Sequence, residues 1–225
     1  MEFALRKLEL PFSPPNNLTP AVGPLVQHTS MTEKPTLFRY GKSKYMEPLI
    51  ESGELRLGPA SFYLEGTIGN PRTDDELTRT SYLYGKQTRI TSQSGINIPV
   101  IGDVKCTVSA GNYYVLCMSQ TSHQGLFDDF ACDACVVIND IEEFANRIKN
   151  VLPAHWVLGH GPVEYFDPYE IGLESLDPLL SKDFSFAYQM EYRFICCPNE
   201  RIDAKKFCHL KIGNLSDLAT MIYRG

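Results

Sequence analysis

A succession of short β-rich segments fills the middle of this chain and limits the folds open to it. Between residues 88 and 137 the segments are TRITSQ, NIPVIG, VKCTVS, NYYVLCMSQ and ACVVI. Each is rich in β-branched or aromatic residues, and turn-forming residues separate one from the next. Consecutive short strands of this kind predict a meander of antiparallel strands.

Three further segments have the spacing and end signals of helices. The first covers Met46 to Ser52 between the short strands TLFRY and LRLG, and Gly53 follows it as a left-handed cap. The second is the amphipathic IEEFANRIKNVL, capped by Asp140, and the third is DLATMIY, which Asn214 or Ser216 can cap. The sequence therefore predicts an α+β fold, a strand-rich mixed or antiparallel sheet with about three helices.

Residues 1–34 differ in composition from the rest of the chain. They contain five prolines and little periodicity, which is typical of an extended arm. Within the arm, FALRKLEL alternates and is expected either to add a strand to the domain or to a partner, or to stay disordered. Residues 35–225 are long enough to bury one core and are expected to form a single domain.

Charge and cysteine content argue against several functional classes. The net charge of −6 opposes non-specific attraction to nucleic acid. Neither an apolar run of about 18 residues nor a secretory signal occurs, so we expect a cytoplasmic protein that does not bind membranes. The seven cysteines lie mostly among apolar neighbours, which predicts buried thiols. Cys132 and Cys135 lack the second ligand pair that zinc needs, so no metal ligands are assigned.

The segment from Gly58 to Tyr84 is polar and is broken by glycines and a proline, which predicts a long surface loop. Loops of this length inside a domain are often functional, so this one is a candidate lid. It carries three consecutive acids, Asp74, Asp75 and Glu76. Hard divalent cations bind carboxylate oxygens, so one alternative function is a metal-dependent hydrolase or nuclease. Three consecutive acids cannot all face one point, which weighs against that alternative.

The late segment FAYQMEYRFICC alternates and predicts a strand with three polar side chains, Gln189, Glu191 and Arg193, on one face. If this face lines a cleft, the amide of Gln189 and the carboxylate of Glu191 meet one ligand together. The alternative is an exposed strand face on which Glu191 pairs with Arg193, since antiparallel strands commonly have one solvated side.

Five segments also carry a resemblance to a known family. They are TLFRY, GELRLGPASFY, NPRTDDEL, YVLCMS and YQMEYRF. In this order, over roughly residues 36 to 222, they resemble a large bacterial domain family with an ADP-ribosyltransferase-like fold. That family carries an early Lys- or Arg-Tyr strand, a serine-containing strand before an Asn- and acid-rich loop, and a late Glu-x-Glu-Trp/Tyr-Arg strand. This chain departs from the pattern with Gln189 at the first glutamate and with a longer loop from Asn70 to Glu76.

The resemblance implies an NAD site and a role for each matching residue. Arg39 and Tyr40 on the first strand, and Ser61 or Tyr63 after the second, would bind NAD. Glu191 would stabilise the oxocarbenium-like transition state of nicotinamide release, and Gln189 would orient the acceptor. The implied activity is ADP-ribosyl transfer or NAD hydrolysis of a toxin or phage-defence type.

The acceptor is left open between a protein and a nucleic acid, and the N-terminal arm is a candidate contact for a partner or antitoxin. A non-enzymatic domain that binds a nucleotide or a protein through the same cleft remains the main alternative.

Overall fold

The computed structural model describes residues 35–64, 75–170 and 177–225. The described residues fall into two compact units, residues 82–106 and the remainder. The arm expected over residues 1–34 lies outside the described residues, as do residues 65–74 of the predicted loop.

The chain enters the sheet through a strand, a helix and a second strand, as predicted. These are β1 (Leu37–Gly41), α1 (Ser43–Ser52) and β2 (Glu54–Pro59). Gly53 ends α1 in the left-handed region at φ 67°. A Cβ there would lie 2.2 Å from the carbonyl oxygen of Gly213, so the position requires glycine for space as well as for its backbone angle.

The prediction of one long loop from Gly58 to Tyr84 is wrong in its described parts. Ala60–Leu64 is a 3₁₀ turn that begins at a fully buried alanine, and β3 (Thr78–Leu83) is a strand. Within residues 82–106, the short strands β4 (Ile90–Thr91) and β5 (Asn97–Ile98) form an antiparallel pair. The strand that follows is β6 (Val104–Ser109), and it pairs with β3. Because its partner lies some 25 residues ahead along the chain, β3 gave no local signal of pairing.

The second half of the chain supplies most of the large sheet and two helices, of which the longer one was predicted. The side chain of Asp140 caps it by accepting a hydrogen bond from the N–H of Glu143 at 3.0 Å. The elements of this half are β7 (Tyr114–Ser119), α2 (Gln124–Asp129), β8 (Ala134–Ile138), α3 (Ile141–Val151), β9 (Val157–Pro162), β10 (Glu164–Phe166), β11 (Ser181–Asp183), β12 (Glu191–Cys197), β13 (Cys208–Lys211) and β14 (Ala219–Tyr223).

The large sheet forks at β7. One edge of β7 pairs with β12 from Tyr114 to Ser119, and β12 in turn pairs with β9. The other edge pairs with β2 at its start and with β1 at its end, where Phe38 lies opposite Ser119. The branch through β1 continues to β8 and β14, and the branch through β2 continues to β13. All of these pairings are antiparallel, so the fold is α+β with a strand-rich antiparallel sheet.

Two predictions about strand order and type are wrong. Consecutive strands do not form a meander, because β1 lies between β7 and β8. DLATMIY is not a helix, since β14 pairs with β8 along its length, from Ala219 opposite Ile138 to Tyr223 opposite Ala134. In both cases a partner distant in sequence decides the outcome, which local propensity cannot anticipate.

The main core lies on the sheet face that α1 and α3 cover. Phe144 of α3 is fully buried against Phe194 of β12, with ring centroids 5.2 Å apart. A smaller core beside β7 and β12 contains Val115 and Ile195 of these strands and Tyr113, which precedes β7, and the candidate site adjoins it. Among the described residues, no helix is long and apolar enough to span a bilayer.

Candidate functional site

The segment predicted as one alternating strand changes conformation at its centre. Phe184–Gln189 is a 3₁₀ turn, Met190 is left-handed at φ 45°, and β12 begins at Glu191. The prediction that Gln189 and Glu191 share a strand face is therefore wrong. Both side chains are nevertheless buried, at 5% and 4% exposure. The left-handed residue between them interrupts the strand alternation, so their common surroundings depend on a turn and not on a shared strand face.

Glu191 is bound on both carboxylate oxygens. Arg193 Nε donates to Oε1 at 2.8 Å, and Lys182 Nζ donates to Oε2 at 3.0 Å. The N–H of Glu191 donates to the hydroxyl of Tyr165 at 2.7 Å. The expected pairing of Glu191 with Arg193 is thus present, but on a buried face and not on an exposed one.

Lys182 brings the two predicted catalytic residues together. Its Nζ donates to Gln189 Oε1 at 3.2 Å as well as to Glu191 Oε2, and it lies 4.7 Å from the ring centre of Phe186. The amide and the carboxylate therefore do meet one group, and that group is an ammonium of the same chain. Lys182 is 4% exposed, which is rare for a lysine and demands this set of partners.

The cluster extends to Glu76 and Arg79. Glu76 Oε2 accepts from Arg193 at 2.6 Å and from Arg79 at 3.3 Å, and Glu76 Oε1 lies 3.8 Å from Lys182 Nζ. Among the described residues this buried cluster, which we call the ionic cluster, has three cations (Arg79, Lys182 and Arg193) and two carboxylates (Glu76 and Glu191). Each charged group has a partner of opposite sign, which buried charges need.

The ionic cluster fixes the protonation of Glu191. Burial alone raises the pKa of Glu191, but Arg193 and Lys182 outweigh burial and hold that pKa well below its usual range. Burial alone lowers the pKa of Arg193, and the charges of Glu191 and Glu76 raise it well above its usual range instead. Burial, and then the charge of Glu191, raise the pKa of the adjacent Cys117 thiol. Glu191 is consequently ionised and Cys117 is a neutral thiol at physiological pH.

Arg39 and Tyr40 lie on β1 but differ in accessibility. Arg39 NH1 donates to the carbonyl oxygen of Cys117 at 2.6 Å, across the fork between β1 and β7. The four other N–H groups of a guanidinium leave Arg39 capacity for a further acceptor. Tyr40 is 6% exposed, packs edge-on against Phe127, and accepts a hydrogen bond from the N–H of His123 at 3.0 Å. Its ring therefore packs in a core cluster with Phe127.

Ser61 and Tyr63 lie in the 3₁₀ turn after β2. Asn112 Nδ2 donates to Ser61 Oγ at 2.8 Å, and Asn112 Oδ1 accepts from the N–H of Ser61 at 3.1 Å, so Ser61 helps to anchor this turn. Tyr63 is half-buried and packs edge-on against Phe62. Burial raises the pKa of Tyr63 to about 12, which leaves its phenol neutral.

The two described acids of the alternative metal site contact different partners. Asp75 is exposed, and its Oδ1 accepts from the N–H groups of Leu77 and Thr78, whereas Glu76 belongs to the ionic cluster. Asp74 lies outside the described residues. Within the parts of the chain that the structure describes, no group of three or more His, Cys, Asp or Glu side chains is placed to hold a metal ion.

Lys182, Arg79 and Ser119 were not predicted as members of this region, and Glu76, which was placed in a surface loop, is buried. Ser119 donates to the carbonyl oxygen of Gln189 at 2.7 Å and lies opposite Glu191 in the sheet. Lys182 stands in the short sequence SKDF, which carries no pattern typical of a buried lysine. The position of Lys182 beside Glu191 follows from the pairing of β11 with β10, which the sequence did not predict.

Comparisons of the chain with family models, with curated proteins and with solved structures found no match. The geometry of the ionic cluster and the resemblance in the sequence are thus the basis for proposing a function.

Proposed function

We propose that this protein binds NAD and cleaves its nicotinamide glycosidic bond, as an ADP-ribosyltransferase or NAD glycohydrolase of a toxin or phage-defence type. The observation that carries the proposal is the convergence of Gln189 and Glu191 on one buried point, the ammonium of Lys182. These are the two residues to which the resemblance gives catalytic roles, and they converge across the left-handed residue Met190.

The placement of Arg39 is a second support. Arg39 follows Phe38, which lies opposite Ser119 of β7, and Ser119 lies opposite Glu191 of β12. The candidate phosphate-binding arginine and the candidate catalytic glutamate are therefore carried by the two strands that flank β7. In this function the free N–H groups of Arg39 bind a phosphate of NAD in the planar fork geometry that guanidinium groups favour.

The charge state of Glu191 suits this chemistry. Nicotinamide release passes through an oxocarbenium-like state, and a carboxylate near the ribose is most favourable when that positive charge develops. A carboxyl whose pKa lies well below its usual range is ionised at every physiological pH, so it serves as an electrostatic stabiliser. In this function a ribose hydroxyl donates to a remaining lone pair of the Glu191 carboxylate, while Lys182 and Arg193 keep their bonds to Oε2 and Oε1. Tyr63, neutral and half-buried, is the aromatic candidate for contact with nicotinamide.

A specific observation favours a second candidate, a non-enzymatic domain that binds a nucleotide or protein. Both carboxylate oxygens of Glu191 are already bound by Lys182 and Arg193 in a cluster that is at most 5% exposed. An arrangement of this kind also serves as an internal structural support. The two candidates differ in whether NAD is cleaved.

The test is nicotinamide release from NAD by the purified full-length chain, followed by chromatography. Glu191→Gln is the test variant, and Glu164→Gln, an exposed glutamate on β10, is the matched control. We expect release by the wild type and by the control, and a fall of about 100- to 1,000-fold in Glu191→Gln, because one stabilising group is lost from the transition state. Circular dichroism establishes that each variant is folded. If the wild type neither releases nicotinamide nor binds NAD, the proposal is contradicted, and the non-enzymatic binding domain remains as the candidate function.

A second variant separates transfer from hydrolysis. With labelled NAD and a cell lysate as the source of acceptor, Gln189→Ala is expected to reduce labelling of protein or nucleic acid more than it reduces formation of free ADP-ribose. Equal loss of both products in Gln189→Ala would instead assign Gln189 to nicotinamide release itself.

A further inference from the structure

Lys182 makes a pair of contacts that no other described residue makes. Its ammonium is bound to Gln189 Oε1 and Glu191 Oε2 at 3.2 and 3.0 Å, and its side chain is 5% exposed. We infer that Lys182 is the positioning residue of the site, which couples Gln189 to Glu191 and holds the carboxylate in one orientation. The role in catalysis rests on the proposed function, whereas the coupling itself does not.

The short ribbon of β10 and β11 places Lys182 beside Glu191. These strands are parallel, with Tyr165 opposite Lys182. The hydroxyl of Tyr165 accepts the N–H of Glu191, and Lys182 binds its carboxylate. One pair of neighbouring residues in the ribbon therefore holds residue 191 by both its backbone and its side chain, just after the left-handed Met190.

Two further contacts limit where the ammonium can lie. Its nitrogen is 4.7 Å from the ring centre of Phe186, a favourable cation–π distance, and 3.8 Å from Glu76 Oε1. Phe186 belongs to the same 3₁₀ turn as Gln189. A movement of that turn consequently shifts both the ring and the amide that contact the ammonium.

Arg193 has a different task. It binds Glu191, Glu76 and the carbonyl oxygen of Leu179, and no hydrogen bond joins it to Gln189 among the described residues. Arg193 thus neutralises the two carboxylates, and Lys182 links Glu191 to the amide. Without Lys182, the described cluster still has two cations, Arg79 and Arg193, for its two carboxylates, so its charges stay balanced.

The groups that face Glu191 come from four strands. They are Arg193 on β12, Lys182 on β11, the Cys117 thiol on β7 and the Tyr165 hydroxyl on β10, with Glu76 beyond the two cations. The thiol and the phenol are neutral, because burial raises the pKa of Cys117, and that of Tyr165 to about 12. Loss of the Lys182 charge therefore leaves Arg193 as the one cation bound to Glu191 in the described structure.

The experiment is a titration of the glutamate side-chain carboxyl carbons by NMR in the full-length protein without ligand. Lys182→Met keeps most of the aliphatic stem and removes the charge. Lys182→Arg keeps the charge in a planar group. Lys211→Met, which removes a 74% exposed lysine paired with Glu54, is the matched control. The resonance of residue 191 is assigned from its absence in Glu191→Gln.

We expect the Glu191 titration to move to higher pH in Lys182→Met, and to stay in place in Lys182→Arg and in Lys211→Met. The side-chain amide resonance of Gln189 is expected to shift in both Lys182 variants, because a guanidinium cannot reproduce the geometry of an ammonium. A Glu191 titration that is unchanged in folded Lys182→Met overturns the inference. If Lys182→Met does not fold, an unshifted Gln189 amide in folded Lys182→Arg overturns it.

Nicotinamide release distinguishes this inference from the function on which it rests. In an active protein, Lys182→Met is expected to reduce release about 100-fold, as a displaced catalytic group does, and to move the acid limb of the pH–rate profile upward, with Lys182→Arg recovering part of the rate. If the wild type does not cleave NAD but the titration moves as expected, the proposed function fails and the assignment of Lys182 as the coupling residue stands. If the wild type is active, and Lys182→Met shifts the Glu191 titration but leaves the rate of nicotinamide release unchanged, Lys182 has no role in catalysis.

Discussion

Two ion-pair regions of this protein each join a cationic side chain to a glutamate, in different surroundings. In the ionic cluster, Arg193 and Glu191 are paired at 2.8 Å with side chains 0% and 5% exposed. On the strand pair β2–β13, Lys211 and Glu54 are paired at 3.0 Å with side chains 74% and 49% exposed. The distances are nearly equal, so the distances alone do not rank the two pairs.

The difference lies in what replaces a lost partner. If Lys211 is removed, water solvates the carboxylate of Glu54, so this exposed pair contributes little to stability. Inside the ionic cluster water does not reach the remaining carboxylate, so removal of one partner leaves a buried charge at high cost. Burial of the two side chains, and not the distance between nitrogen and oxygen, is therefore expected to decide which pair contributes more to stability.

The largest expected effect is that of Arg193→Met. This change leaves Glu191 and Glu76 without their shared guanidinium, and we expect the free energy of unfolding to fall by about 3–5 kcal/mol at pH 7. Urea denaturation followed by circular dichroism measures it. A loss no larger than that of Lys211→Met would break the comparison, because it would mean that water enters the cluster.

Glu191→Gln is expected to have the next largest effect, with a characteristic pH dependence. The folded pKa of Glu191 is lowered, so its stabilising contribution is complete above the unfolded pKa and is lost as the pH falls toward the folded pKa. We expect a loss of about 3 kcal/mol at pH 7 that shrinks below about pH 4.3, where the unfolded wild type takes up a proton. Urea denaturation from pH 7 to pH 3 measures it, and a constant difference between the two proteins would contradict the prediction.

Ser119→Ala tests burial without charge. Ser119 is 5% exposed, and its hydroxyl donates to the carbonyl oxygen of Gln189 at 2.7 Å. Its loss is expected to cost about 1–2 kcal/mol, since a buried acceptor loses a donor. The cost should be the same at pH 5 and pH 8 and at low and high salt. A marked salt dependence would show that charge also governs this contact.

The smallest expected effect is that of Lys211→Met on the exposed pair. We expect a change of about 0.5 kcal/mol or less in the free energy of unfolding, which 1 M salt reduces further. The measurement is the same urea denaturation at two salt concentrations. A loss comparable with that of Ser119→Ala would show that exposure is a poor guide to the strength of this pair.

Local signals in the sequence predicted the parts of the fold that depend on local interactions. Gly53 ends α1, and Asp140 starts α3, because each acts on backbone groups within four residues of itself. DLATMIY was assigned to the wrong class, since its conformation depends on β8, about 80 residues earlier. The strand conformation of DLATMIY can be predicted only when it is known that β8 has an edge with which this segment can pair.

The candidate site divides in the same way. Glu191 and Gln189 were identified from their spacing, but the argument that joined them, a common strand face, was wrong. Met190 brings them together through a backbone conformation that a methionine seldom adopts. Glu76 and Arg79 enter the site from one other part of the chain and Lys182 from a second, and a spacing rule applied to one segment cannot connect them.

The fork in the sheet gives β7 an edge that is partly without a strand. Between Val115 and Ser119, no other strand of the described residues pairs with that edge, and the side chain of Arg39 supplies the hydrogen bond to the carbonyl oxygen of Cys117. Removing a neighbouring strand breaks a whole series of backbone hydrogen bonds. Removing the Arg39 side chain from Cys117 breaks one hydrogen bond and requires only a change of rotamer. The centre of the sheet thus contains a backbone carbonyl, one strand away from Glu191, whose hydrogen bond comes from a side chain and not from a neighbouring strand.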